Sequence, residues 1–321
     1  MNDFSTIITG AAGFIGRNLV AELNRRGLNN LLLVDELGKT EKWKNLRGLF
    51  YEDIWDPDML RQAILGEVDP GQIQSVIHLG ACSATTERDA DYLIDNNYRY
   101  SRDLCEWCLQ HDIRFVYASS AATYGDGSKG YCDEDEGTPE LEPLNMYGYS
   151  KHMFDLWALK NGLFDHIAGL KYFNVYGPYE QHKDDMRSVV HKATEQILAE
   201  GSVKLFRSHR PDYEDGKQLR DFVFVQDAVD LTLWLAESDS PSGLFNCGTG
   251  QARSWLDLVT AVFSALDREP RIEFIDMPEQ LQGKYQYFTE ADMAKLRNTG
   301  YDAPFHSLEE GVRKTVESIL A

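Results

Sequence analysis

Tyr147 and Lys151 lie four residues apart in the run Tyr147-Gly148-Tyr149-Ser150-Lys151, so on a helix they share one face. That pairing has a chemical use. A phenol ordinarily titrates at about 10, and a positive charge beside it favours the phenolate. Tyr147 could then exchange a proton with a substrate hydroxyl, and Ser120, at the end of an apolar run with Ser119, could hold the same oxygen. Tyr149 is the competing phenol, but the residue four positions beyond it is Met153. A tyrosine and lysine at this spacing often form no more than a solvated pair. The hydroxyl-rich strand end before them and the glycine loop that opens the chain give them a catalytic setting.

That loop is Thr9-Gly10-Ala11-Ala12-Gly13-Phe14-Ile15-Gly16. It follows an apolar run and opens a helical pattern. Gly10 permits a tight turn, Gly13 lets backbone amides approach a pyrophosphate, and Gly16 lets the helix pack close to the strand. The N-terminus of the helix supplies N–H groups and partial positive charge. A glycine triplet alone could be plain strand–turn–helix packing. A second apolar run, ending at Asp35 about twenty residues later, points instead to a dinucleotide. Asp35 suits a ribose hydroxyl. Asp35 and Glu36 disfavour a 2′-phosphate, since two unit charges ~5 Å apart at an effective dielectric of ~20 repel by roughly 3 kcal/mol. Lys39 and Lys42 could offset this, so the residues themselves read as NAD, or as NADP with help from lysines. A nicotinamide cation would add to the charge that favours a Tyr147 phenolate, and Lys151 could also hold the nicotinamide ribose.

These groups need elements to carry them. Residues 5–9, 31–35, 75–79, 115–119 and 169–173 read as strands, and 49–53 as a weaker one. Residues 14–26, 89–110 and 147–161 read as helices. Such alternation predicts an α/β fold of Rossmann type, a doubly wound parallel sheet with helices on both faces and right-handed connections. After Tyr176-Gly177-Pro178 polar loops such as 209–216 interrupt shorter elements. A strand at 222–225 and a helix at 227–236 are expected to return to the main sheet. The predicted division is a dinucleotide-binding domain of residues 1–175 plus about 221–247, and a smaller, discontinuous α/β substrate lobe of about 176–220 plus 248–321.

The 321-residue chain is 43% hydrophobic and 26% charged, ordinary values for a folded protein. Its net charge of −20 opposes a nucleic-acid partner. The start, Met1-Asn2-Asp3-Phe4, carries no basic segment before an apolar run, and no stretch is long enough to span a membrane, so a cytoplasmic protein is expected. Five cysteines at scattered positions give no disulfide framework. Cys105 and Cys108 have zinc-type spacing but no second ligand pair, so no metal is expected and a core role for at least one of them is the better reading.

Taken together, Gly10–Gly16, Asn96, Ser120, Tyr147, Lys151 and the run 172–178 resemble the extended short-chain dehydrogenase/reductase superfamily. Within it, the runs 80–87, 95–98, 118–125, 145–151, 204–206, 220–223, 245–250 and 283–289 are similar to the ADP-heptose 6-epimerase family. The resemblance covers nearly the whole chain. It implies oxidation of the sugar's C6 by bound NADP to a transient ketone, reorientation, and return of hydride to the opposite face, for a precursor of the lipopolysaccharide inner core. It gives Tyr147 and Lys183 as the two acid–base groups, one for each epimer. It places Phe14, Ile15, Asp35, Glu36, Lys42, Leu79, Gly80, Ala81, Cys82, Ser83, Asn96, Lys151, Val175 and Lys183 at cofactor positions, and Ser120, Asn174, Asp185, Lys192, Phe206, Arg220 and Tyr285 at substrate positions. Arg220 could clamp a pyrophosphate bidentately, or else pair with Asp221 on the surface. Phe206 could stack on the base or fill the core. A homo-oligomer is implied, with a homopentamer as the suggested form.

Some residues depart from the family. Glu36 stands where Asn is frequent, Pro57 where a phosphate-binding lysine can stand, and Asp185 where relatives carry Ser; the loop 207–218 is longer than in some members. Two other readings compete. One is a UDP-hexose 4-epimerase or dehydratase of the same superfamily, although the acid pair typical of a 4,6-dehydratase is missing after Thr123. The other is a cofactor-sensing regulator, against which the intact Ser120, Tyr147 and Lys151 set argues.

Overall fold

The computed structural model describes residues 4–66, 72–237, 240–279 and 285–321. The chain divides into two compact units. The first comprises Met1–Gly125, Asp133–Tyr172 and Val229–Phe245; the second comprises Asp126–Cys132, Phe173–Ala228 and Asn246–Ala321.

The first unit is built on parallel strands β1 (Thr6–Thr9), β2 (Leu31–Val34), β3 (Asp53–Trp55), β4 (Ser75–His78), β5 (Arg114–Ser120) and β6 (Ala168–Tyr172). Between them come helices α1 (Phe14–Arg25), α2 (Pro57–Leu65), α3 (Ala90–Leu93), α4 (Tyr100–Gln110) and α5 (Met146–Lys160). Further along come β7 (Asn174–Tyr176), α6 (Val189–Glu200), β8 (Val203–Phe206), β9 (Leu219–Phe224), α7 (Val225–Ala236) and β10 (Gly243–Cys247). The seven-stranded sheet runs β10-β6-β5-β4-β1-β2-β3, so the chain winds outward from β1 in both directions. β2 and β4 are buried along their whole lengths, as strands covered on both faces must be. Cys105 and Cys108 are both in the core beneath this sheet.

Two expectations are corrected. The third strand begins at Asp53, not residue 49, because Asp53 is the partner of Leu32 and the ladder ends at Trp55. The segment predicted at 222–225 does not join the main sheet. It is part of β9, in a three-stranded sheet of order β11-β9-β7, where β11 is Ala252–Ser254. β9 is buried along nearly its whole length, and the apolar run 222–225 does not itself mark which sheet it joins. β10 is the strand that extends the main sheet.

In the second unit α8 (Trp255–Ala265) opens on a capping box, with the Ser254 hydroxyl accepting from Asp257 N and the Asp257 carboxylate accepting from Ser254 N. Its apolar face, Leu258, Val259, Val262 and Phe263, packs against α6 and the helix Leu308–Leu320. β8 pairs in parallel with β12 (Ile272–Ile275).

Candidate active site

In the first unit the site grows from the C-terminal ends of parallel strands, where an open α/β sheet leaves its crevice. Gly10 has φ +68°, and a Cβ there would lie 2.7 Å from Gly80 N. At Gly16 a Cβ would fall 2.1 Å from the Gly10 carbonyl oxygen. These glycines bring the loop after β1, the loop after β4 and the start of α1 into backbone contact. Gly13 is the N-cap of α1, with no side-chain cap and no acidic residue in the first turn. That helix end is therefore suited to phosphate oxygens. The Asp35 carboxylate is buried, accepts from Ala12 N at 2.8 Å and is paired with Lys42 Nζ. Glu36 is exposed, and its carbonyl also accepts from Lys42. The chain thus fits a dinucleotide on its own geometry.

The loop carrying Leu79, Gly80, Ala81, Cys82 and Ser83 is fastened from two sides. Gly80 N donates to the Thr9 hydroxyl, which is 2.7 Å from His78 Nδ1. Burial pushes His78 down to about 3, so it sits neutral as a scaffold. On the other side Asn97 is fully buried. Its Oδ1 accepts from Cys82 N, and its Nδ2 donates to the Cys82 carbonyl and to Ser150 Oγ, at 2.9, 3.0 and 3.0 Å. Asn97 thus joins the loop to the helix that carries Tyr147 and Lys151. It lies in a π-helical turn, Ile94–Arg99, and the half-buried Asn96 donates to its side chain. Sequence reasoning chose Asn96 and missed Asn97. In the pair Asn96-Asn97 the sequence does not mark which amide is buried.

Asn145 caps α5, its side chain accepting from Gly148 N at 2.8 Å. This sets the first turn that presents Tyr147. The Ser120 hydroxyl hydrogen-bonds the Tyr147 phenol, which holds the phenol pKa down, but burial is the larger effect and raises it. The expected lowering by Lys151 is not among the effects acting on Tyr147. Lys151 Nζ donates instead to the Ala118 carbonyl at 2.8 Å. Lys151 is itself buried, and desolvation pushes it down to about 8, opposed by Asp155 one turn along α5. Asp155 is fully buried and accepts from Tyr117 Oη at 2.8 Å and Ser119 Oγ at 2.7 Å. Ser120, Tyr147 and Lys151 therefore meet as one constellation of this unit.

In the second unit Lys183, Asn174 and Val175 line a cavity of about 310 Å³. Lys183 Nζ lies 3.5 Å from Glu180 Oε2, and Glu180, fully buried, also accepts from Gly177 N and Ser188 N. Asp184, next to Lys183, has φ +46°, a left-handed conformation of the strained kind that gathers at working sites. Lys192, Phe206 and Tyr285 line a second cavity of about 500 Å³, and Val189 and Trp255 line both. Phe206 is half-buried at its wall, not in the core. Asp185 is exposed and lines neither cavity; its carbonyl accepts from Lys192 Nζ. Arg220 is buried, donates to the Leu219 and Gln286 carbonyls, and stands 5.1 Å from the Tyr285 ring and 5.8 Å from the Trp255 ring. It does not pair with Asp221, whose carboxylate accepts from Thr249, Gly250 and Ala291 amides instead. Trp255 and Glu180 carry no motif in the sequence and were found only by the fold.

A model of the NAD dependent epimerase/dehydratase family matches residues 6–248. The chain belongs to that family. Among its curated relatives is an ADP-L-glycero-D-manno-heptose-6-epimerase of Nitratidesulfovibrio vulgaris strain Hildenborough, 56% identical over 315 residues that cover 98% of each chain. A protein of the same description from Fusobacterium nucleatum is 48% identical, again over 98% of each. Similar solved structures include ADP-L-glycero-D-manno-heptose-6-epimerase of Helicobacter pylori, at TM-score 0.82 and 27% identity over 99% of this chain and 97% of that one. Another is a Thermus thermophilus UDP-glucose 4-epimerase in complex with NAD, at TM-score 0.77 and 25% identity over 99% of each chain. Among the described residues no helix is long and apolar enough to cross a membrane.

Proposed function

We propose that this chain is an isomerase that inverts C6 of the heptose in an ADP-heptose, converting the D-glycero-D-manno form to the L-glycero-D-manno form. The observation that carries the reading is the 56% identity, over 98% of the chain, to a protein of that activity. Ser120, Tyr147 and Lys151 are the residues that would do the work. A nicotinamide dinucleotide, when bound, supplies a reversible hydride acceptor. Gly10, Gly13, Gly16 and the loop 79–83 would hold its phosphates, and Asp35 its adenosine ribose.

The chain's own residues handle the proton and the sugar. With its pKa raised by burial, Tyr147 is a protonated phenol at neutral pH. Its Oη donates to the sugar oxygen in one direction and takes the proton back in the other. Ser120 Oγ orients that oxygen. Lys151, positive below about 8, would hold the nicotinamide ribose when the dinucleotide is bound. Lys183, held by Glu180, serves as the second acid–base group, for the epimer whose hydroxyl lies on the other side. Arg220 binds the pyrophosphate, and Phe206 and Tyr285 flank the nucleoside.

NADP is the dinucleotide we propose over NAD. The pairing of Lys42 with Asp35 cancels the carboxylate that would otherwise repel a 2′-phosphate. The mass of the co-purifying nucleotide decides this. The remaining parts of the proposal are synthesis of a lipopolysaccharide inner-core precursor in the cytoplasm and a homopentameric assembly, the latter read by light scattering.

The test is incubation with ADP-D-glycero-D-manno-heptose and, separately, UDP-galactose, followed by NMR at C6 and C4. Inversion at C6 of the heptose is expected. Inversion only at C4 of the hexose would move the chain to the 4-epimerases.

A further inference from the structure

The larger cavity of the second unit has one polar side chain with nothing to bond. Gln218 lines it and is 1% exposed, yet neither Oε1 nor Nε2 has a hydrogen-bond partner. A buried amide without partners is costly to leave unmade and calls for an explanation. The cavity, about 500 Å³, is the size of a small-molecule site, and its walls are mostly apolar: Val189, Ala193, Val203, Leu205, Phe206 and Trp255. Gln218 also leads into β9. Burial alternates along the approach, with 216, 218 and 220 buried and 217 exposed, so Gln218 and Arg220 lie on the same face of an extended chain. The Arg220 guanidinium stands over Trp255 and Tyr285, which both line the cavity. The start of β9 thus carries a cation beside two wall residues of the cavity and, two residues earlier, an unsatisfied amide that lines it.

We propose that Gln218 reads the nucleobase of the sugar nucleotide, its Oε1 accepting from the exocyclic amine of adenine and its Nε2 donating to the neighbouring ring nitrogen. Both buried groups are then satisfied by one planar edge, while Phe206 and the other apolar walls cover the base faces. The inference rests on the ADP-heptose reading above, which supplies adenine. An amide can turn over to match several bases, so the residue's role is tested by changing its donor pattern.

The probes are ADP-glucose and GDP-glucose, titrated calorimetrically into the full chain with NAD⁺ and NADP⁺ both saturating, so that the dinucleotide site is filled. Gln218→Leu removes both polar atoms, and ADP-glucose affinity is expected to fall roughly ten- to a hundredfold without a fall in Tm. Gln218→Glu leaves only acceptors, which match the N1–H and amine of guanine. Its preference for ADP-glucose over GDP-glucose should fall at least roughly tenfold. If both variants bind ADP-glucose as the parent does, Gln218 does not read the base. If Gln218→Leu melts early, the ratio within Gln218→Glu still decides, and an unchanged ratio overturns the proposal. If the parent chain itself fails to bind ADP-glucose, the ADP-heptose reading falls, and this inference with it.

Discussion

The two units offer different kinds of proposed site. The first is built mainly from backbone. Its proposed phosphate cradle is a turn at φ +68°, a helix end capped by a glycine, and two loops in contact because Gly10 and Gly16 have no Cβ. The side chains proposed as catalytic sit on one strand end and one helix, Ser120 on β5 and Tyr147 and Lys151 on α5. The second unit offers side chains scattered over several separate elements. Asn174, Lys183, Lys192, Phe206, Gln218, Trp255 and Tyr285 reach two cavities from strands, helices and loops. A backbone cradle needs fixed spacing and leaves a motif. A side-chain pocket needs only that each residue arrive, and leaves none.

The largest effect should come from the first unit's chemistry. Tyr147→Phe keeps the ring and removes the proton, so turnover should drop roughly 10²- to 10⁴-fold while dinucleotide stays bound. Parental turnover in that variant would take Tyr147 out of the mechanism. Next comes the cradle. Gly16→Ala places a methyl 2.1 Å from the Gly10 oxygen, so the backbone must shift. Dinucleotide affinity should fall with stability, by roughly 1–3 kcal/mol on unfolding. The Gln218 variants, by contrast, should cost base affinity and not Tm. Were Gly16→Ala to bind dinucleotide and melt as the parent does, the contrast between backbone and side-chain sites would collapse.

A smaller effect tests the charge beneath the site. Lys151 is positive below about 8 and neutral above it, so kcat should fall as pH rises through that value. The Asp155 carboxylate favours the charged lysine. Asp155→Asn should therefore shift the alkaline limb to lower pH. A limb that stays put or moves upward would show that Asp155 does not act on Lys151.

The legibility of the sequence follows the same division. The parallel strands β1, β2, β4, β5 and β6 were readable because each is a short apolar run between helical patterns. The glycine loop, Asp35, Ser120, Tyr147 and Lys151 were readable because spacing carries their geometry. The return of residues 222–225 to the main sheet was misread, since a strand buried on both faces looks the same in either sheet. Asn97 was missed because nothing in the pair Asn96-Asn97 marks which amide is the buried one. His78 reads as an ordinary strand residue, and only its bonds to Thr9 and Ser101 show that it scaffolds the loop. Gln218 and Trp255 offered no spacing at all. Lys183 was found through family resemblance, and by its own surroundings would have passed for a surface charge.

The central claim is that C6 is inverted by removing and returning its own hydrogen, with Tyr147 moving only the hydroxyl proton. Conversion of ADP-D-glycero-D-manno-heptose in D₂O, followed by NMR of the product, tests it directly. The account predicts the L-glycero epimer with C6–H retained and no deuterium at that carbon. Deuterium at C6 would show inversion by proton exchange with solvent and contradict the mechanism.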